Sequence, residues 1–115
     1  MKIVFIAHPI GGDVKENLKR IVKIARSINL SEPEVVPCAN YFLDCYTLND
    51  DLFSERERGI KNNIALMKRR FYDEVRLYGN RISKGMRDEI NLADELGIPI
   101  IPMTRGTIRD YALLK

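Results

Sequence analysis

A hydroxyl, a glycine and a carboxylate follow one another in the stretch Ser83-Lys84-Gly85-Met86-Arg87-Asp88-Glu89. It lies between a predicted strand, Glu74-Val75-Arg76-Leu77-Tyr78, and a predicted helix that runs through Ile90, Ala93 and Leu96 and stops at Gly97. In open parallel sheets, ligands bind where strand carboxyl ends meet helix amino ends. Ser83 can cap that helix by accepting a backbone N–H, or can hold a phosphate together with the free N–H groups of Gly85 and Met86; the two roles are compatible. Met86, Ile90, Ala93 and Leu96 mark the buried stripe of the helix, and Glu89 flanks it. A carboxylate so placed is partly desolvated, which raises its pKa. The plainer reading is an acid favoured by the dipole near a helix amino terminus.

A second junction opens the chain. The run Lys2-Ile3-Val4-Phe5-Ile6-Ala7 leads into His8-Pro9-Ile10-Gly11-Gly12-Asp13. Gly11 and Gly12 allow unusual backbone angles and close approach of a ligand. The pattern is neither the dinucleotide fingerprint nor a P-loop. His8 is either a structural residue or a substrate contact. Together the junctions point to a small-molecule site for a nucleotide or nucleoside.

The elements that must position these residues alternate between strand and helix patterns, which argues for α/β with a parallel sheet. Ile3 to Ala7 is a short apolar run suited to a central strand covered on both faces. Asp13 is positioned to cap the next helix, with Glu16 as capping-box partner. Val14, Leu18, Ile21, Val22, Ala25 and Ile28 form its apolar stripe. Glu34-Val35-Val36-Pro37 reads as a second strand. Residues 38–52 read as a long connection carrying Tyr41, Phe42 and Tyr46, aromatics able to stack a base or to pack structurally. A helix through Ile60, Ile64, Met67 and Phe71 follows, with Glu55-Arg56-Glu57-Arg58 on a solvated face. Ile98-Pro99-Ile100-Ile101-Pro102-Met103 reads as a strand near an edge, because proline cannot donate to a ladder. The tail from Ile108 to Leu114 is a strand or a helical turn.

The bulk numbers set the class. At 115 residues the chain is one domain, residues 1–115, long enough for a single core. A formal charge of +3, with Lys and Arg interleaved among Asp and Glu, supplies no basic stripe for nucleic acid. Cys38 and Cys45 lack redox or zinc spacing, and one histidine cannot make a His-rich metal site, so no metal is expected. Two free thiols and the absence of a signal-peptide pattern or a transmembrane-length run suggest a cytoplasmic protein without a membrane partner.

With both junctions in view, the chain resembles the nucleoside 2-deoxyribosyltransferase-like superfamily along nearly its whole length. The resemblance is carried by Ala7-His8-Pro9, the Gly11-Gly12 loop, Asp73-Glu74-Val75, and the spacing Ser83-x-Gly85-Met86-x-x-Glu89, followed by Ala93 and Gly97-Ile98-Pro99. It implies a flavodoxin/Rossmann-like doubly wound parallel sheet of about four to five strands with helices on both faces. It also implies that Glu89 is a nucleophile attacking the anomeric carbon of a deoxyribonucleoside, through a covalent deoxyribosyl-enzyme resolved by water or a second base. Ser83 stands where the deoxynucleoside-monophosphate hydrolases of the group have a serine that holds the 5′-phosphate, and the Gly11-Gly12 loop would bind the same phosphate. The resemblance thus implies an N-glycosidic hydrolase or transferase acting on a nucleoside 5′-monophosphate, without a cofactor. Substrate contacts are expected from His8, Gly11, Gly12, Asp13, Tyr41, Asn63, Ser83, Gly85 and Met86. Active members carry an aspartate in the helix before the third strand; the nearest residue here is Asn63, an amide that cannot accept a proton as a carboxylate does. The alternative is a nucleotide-derived ligand-binding or sequestering module without turnover. A homodimer or higher homo-oligomer is expected in either case.

Overall fold

The computed structural model describes residues 1–115. The elements follow in the order β1 (Lys2–Ala7), α1 (Val14–Ser31), β2 (Val35–Cys38), α2 (Tyr41–Thr47), α3 (Phe53–Lys68), β3 (Glu74–Leu77), α4 (Lys84–Glu95), β4 (Ile100–Pro102) and α5 (Arg105–Leu114). The four strands form one parallel sheet in the order β2-β1-β3-β4. The chain leaves β1 toward β2 on one side and β3 toward β4 on the other. Strand order therefore reverses between β1 and β3, the switch point at whose carboxyl ends open α/β sheets bind ligands. This is the doubly wound α/β architecture expected from the sequence.

β1 is central, and Val4 through Ala7 are wholly inaccessible to solvent. Side-chain alternation along a strand splits this run between the two faces. Phe5 and Ala7 join Val75 and Leu77 of β3, Met67 of α3, and Met86, Ile90 and Ala93 of α4 in one cluster with Tyr72 and Ile98. Val4 and Ile6 point the other way, toward Leu18, Ile21 and Ile28 of α1. Full burial of a side chain such as Phe5 contributes about 1.5–3 kcal/mol. Glu74 and Arg76 are in register with Val4 and Ile6 and share their face. There Glu74 accepts from Lys2 (2.8 Å) and Arg76 (2.6 Å), while Arg76 also donates to both oxygens of Glu32 at the end of α1 (2.9 and 3.1 Å).

β4 lies at an edge, as its prolines require. Beyond its ends, Pro99 O still accepts from Val75 N–H and Met103 N–H donates to Leu77 O. The tail is helical: Thr104 and Thr107 form a reciprocal capping box at the start of α5. Thr107 is also fully buried and donates to Leu77 O at 3.1 Å, which ties α5 to β3.

Several expectations are corrected. Residues 38–52 are not a plain loop, because Tyr41–Thr47 form α2; Asn40 makes no side-chain cap, and no residue of α2 is buried. The helix before β3 ends at Lys68 rather than reaching Phe71, because Arg70 turns the chain at φ 61°. Ile60 and Ile64 are exposed, and Met67 is the buried residue of α3. In α1, Val14 and Val22 are exposed while Asn17 is buried. Asp13 caps α1 by accepting Glu16 N–H at 3.3 Å; the side chain of Glu16 turns to Lys19 instead of closing a capping box.

Candidate active site

α4 starts beyond the carboxyl end of β3. Ser83 is extended (ψ 171°), and its Oγ accepts Met86 N–H at 3.2 Å, so the capping role is realised. This corrects the expectation for Met86: its N–H is taken by the cap and its side chain is core. The N–H groups left without an acceptor are those of Lys84 and Gly85, in the first turn of the helix. A Cβ built on Gly85 would meet nothing within 4 Å, so the space above this turn is open.

Burial of Met86, Ile90 and Ala93 fixes the rotation of α4 on the sheet and brings Glu89 against α3. Asn63 Nδ2 donates to Glu89 Oε2 at 2.8 Å. No cation reaches Glu89: Lys84 pairs with Asp88 (3.7 Å), and Arg76 is held by Glu74 and Glu32 on the opposite face. Burial pushes the Glu89 carboxyl up to about 8; the Asn63 hydrogen bond opposes this and the nearby Asp88 charge adds to it. At neutral pH the group is therefore mostly protonated. The residue as a whole is intermediate in exposure, while its carboxyl lies within the protein.

Two phenols complete the surroundings. Tyr41 donates to Ile6 O at 2.6 Å and packs on Phe5 with ring centroids 5.7 Å apart. Tyr72 meets the same ring at 5.1 Å, edge-on. Burial raises both phenols, and the charge of Glu89 adds to both shifts. Tyr41 thus serves the wall of the site, with its hydroxyl already committed to the backbone. Phe42 pairs with Tyr46 instead (5.4 Å). Two buried polar atoms have no partner, Asn63 Oδ1 and Tyr72 Oη.

The loop after β1 abuts the loop after β3. A Cβ on Gly79 (φ 94°) would lie 2.6 Å from Pro9 Cδ, so only glycine permits this contact. Buried His8 donates from Nδ1 to Pro9 O at 2.7 Å, since a carbonyl can only accept, leaving Nε2 as an acceptor. Burial lowers the His8 pKa, the Pro9 carbonyl opposes this and the Arg20 charge adds to it, so the ring is neutral at pH 7. Asn17 donates to Ile10 O (2.9 Å) and Gly11 O (3.3 Å) and accepts from Arg20 (3.1 Å), which fastens the loop to α1. Gly11 and Gly12 border open space, and Gly12 is at φ 95°.

Of the residues expected from the sequence, Glu89 and Asn63 are in direct contact and Tyr41 stands beside them. Ser83 and Gly85 begin the same helix, and His8, Gly11 and Gly12 lie on the adjoining loop. Asp13 is an exposed cap. Sequence reasoning missed Asn17 and Tyr72. An amide inside the apolar stripe of α1 was the available signal for the first; nothing distinguished Tyr72 from a core aromatic. Two open clefts lie elsewhere. One, of about 420 Å³, is lined by solvated charges of α4 with Tyr111 and Lys115; the other, of about 480 Å³, is an apolar groove between α1 and Phe42. Neither is lined by Glu89 or Asn63.

No helix is long and apolar enough to cross a membrane. No curated protein and no solved structure matches the chain. A family model matches residues 2–103, and on that span the chain belongs to the family described as domain of unknown function DUF7768.

Proposed function

We propose that the protein cleaves or transfers the N-glycosidic bond of a nucleoside 5′-monophosphate-like ligand, with Glu89 as nucleophile. The observation that carries this reading is a carboxyl without a cationic partner, held by Asn63 where α3 meets α4. In its ionised form Glu89 attacks the anomeric carbon. The new C–O ester bond forms as the C–N bond breaks, and the base leaves with the electron pair and takes up a proton. Water, or a second base, then attacks the same carbon and releases the Glu89 carboxylate. Ser83, the free N–H groups of Lys84 and Gly85, and the Gly11-Gly12 loop supply the phosphate subsite. His8 and Tyr41 line the site and Asn63 orients the nucleophile. Since Glu89 must be ionised to attack, turnover climbs as pH rises through about 8.

A second reading has its own observation. At pH 7 Glu89 is mostly neutral and its neighbour is an amide rather than a carboxylate, which favours a ligand-binding module without turnover. Incubation with a panel of nucleosides and 5′-mononucleotides, monitoring free base and thermal shift together, separates the two. Base release supports the enzyme, a shift without release supports the binder, and neither response removes both. Asn63→Asp sharpens the choice. A carboxylate there can share a proton with Glu89 and assist proton transfer, an effect typically worth about 10²–10⁴-fold, so base release should rise measurably in steady-state assays.

Assembly into a homodimer belongs to the same proposal. Leu43 and Tyr46 of α2, Leu52, and Phe53, Ile60 and Ile64 of α3 are all exposed. A second copy is the occupant that the twofold habit of soluble proteins favours. Neither nucleic acid nor a membrane is a proposed partner, and the cytoplasm is the proposed location.

A further inference from the structure

The apolar groove of about 480 Å³ between α1 and Phe42 is lined by Val22, Ala25, Arg26 and Leu30 of α1 and by Ala39 and Phe42. Its wall leads into more apolar surface. The Phe42 ring packs on Tyr46 with centroids 5.4 Å apart. Leu43 and Tyr46 are exposed on α2, and Leu52 and Phe53 are exposed at the approach to α3. Apolar surface gathered in this way marks an interaction site.

The charges beside it are divided by sign. α1 carries Lys15, Lys19, Arg20, Lys23 and Arg26 against Glu16 alone. Lys15, Lys19 and Arg26 recur with Val22 at helical spacing, so these three cations border the groove on one side. Residues 43–55 hold Asp44, Asp50, Asp51 and Glu55 and neither Lys nor Arg. Within one copy the two sets do not meet. Of all these charges only Lys19 and Glu16 form an ion pair, at 3.8 Å.

We infer that the α1 groove receives residues 43–55 of a second copy, and that twofold symmetry makes this contact twice. This rests on the homodimer proposed above and names its interface. Phe42 is the groove's wall and leads directly into the acidic stretch, so basic and acidic halves lie side by side on one patch. A twofold interface requires a patch that complements itself. Each α1 then faces the acidic stretch of the other copy. Burial of apolar side chains supplies the affinity, and the opposed charges fix the register and disfavour other pairings.

Light scattering over a concentration series, on wild type and two variants at exposed positions, tests this. The variants are Lys19→Glu/Arg26→Glu and Asp50→Lys/Asp51→Lys. Wild type should be a dimer whose dissociation constant rises with salt, since screening weakens opposed charges. Each variant alone sets like charges against each other twice, and its dissociation constant should rise about tenfold or more. Mixed one to one, the variants should form a heterodimer near wild-type affinity. Glutamates then meet lysines at one contact, and the native pairs remain at the other. Melting curves like that of wild type, and the rescue itself, separate this from a folding defect. A wild-type dimer that both reversals leave intact, or losses without rescue in the mixture, overturns the inference and leaves the homodimer standing. Mass that grows past two copies overturns the twofold closure. A wild type that stays monomeric throughout overturns the inference and the homodimer together.

Discussion

Glu74 and Glu89 are both acids drawn into the body of the protein, on opposite faces of the sheet, and they end in opposite states. Burial alone would raise Glu74, but hydrogen bonds from Lys2 and Arg76 outweigh it and hold the carboxyl below its usual range. Burial raises Glu89 as well, with only the Asn63 amide against it, and the carboxyl is pushed up to about 8. Their neighbours are as different. The Glu74 network satisfies its members through Lys2, Arg76 and Glu32. The Glu89 cluster leaves two polar atoms empty. A buried charge closed by its partners joins α1 to β3; a buried acid without a cation keeps its proton near neutrality. Burial does not tell structure from function here, whereas the partner set does.

The largest effect expected from this contrast is on chemistry. Glu89→Gln keeps the shape and the Asn63 contact but removes the nucleophile, so base release on the best substrate of the panel should fall below detection while the fold persists. Wild-type turnover by this variant would make Glu89 a second Glu74, structural after all. Next comes Arg76→Met. It leaves Glu74 buried with Lys2 alone, and breaking a buried ion pair from one side costs about 3–5 kcal/mol. Denaturant unfolding should show the loss, with ligand affinity unchanged by comparison.

The smallest effect lies in the pH dependence of stability, and its sign separates the two acids. The folded pKa of Glu89 stands above the unfolded value, so the folded protein holds the proton more tightly. Its contribution is fully present below about 4.5, declines as pH rises, and is gone above about 8. Each pH unit across that window is worth up to about 1.4 kcal/mol, an upper bound for a group that is partly accessible. Glu74 acts in the other direction: its folded pKa is depressed, so its contribution is present above the unfolded value and lost as pH falls through the folded one. Melting temperatures of wild type and Glu89→Gln between pH 5 and 9 should therefore diverge, the wild type falling relative to the variant as pH rises. Parallel curves would show that Glu89 is ionised at neutrality.

Periodicity made much of this legible in the sequence. The apolar run of β1, the stripe of α4 with its Ser83 cap, and the proline-marked edge strand each follow from a local rule, and the fold class follows from their alternation. Glu89, Asn63 and Ser83 could be singled out because residue type and position along a helix restrict what a side chain can reach. The contact between Asn63 and Glu89 could not, because it depends on how α3 and α4 rotate against each other. Ile64, rather than Asn63, reads as the inward residue from apolarity alone, and the structure reverses them. α2 was hidden because it has neither a capping side chain nor a buried residue. The end of α3 was hidden because a non-glycine residue, Arg70, adopts a left-handed conformation that sequence seldom announces. Tyr72 looked like packing, and only its unpartnered hydroxyl sets it apart.

The central strand carries a consequence for how the chain is made. β1 is synthesised well before β3, yet one of its two edges pairs with it, and Ile3 exchanges its N–H and carbonyl with Asp73, seventy positions further on. Until residues 73–77 have left the ribosome, β1 can pair only with β2, and a largely apolar strand keeps one ladder edge free. Such edges template pairing between chains. Nascent chains stalled between α3 and β3 are therefore where a chaperone has most to do, and where clustering of identical nascent chains on one message is most damaging.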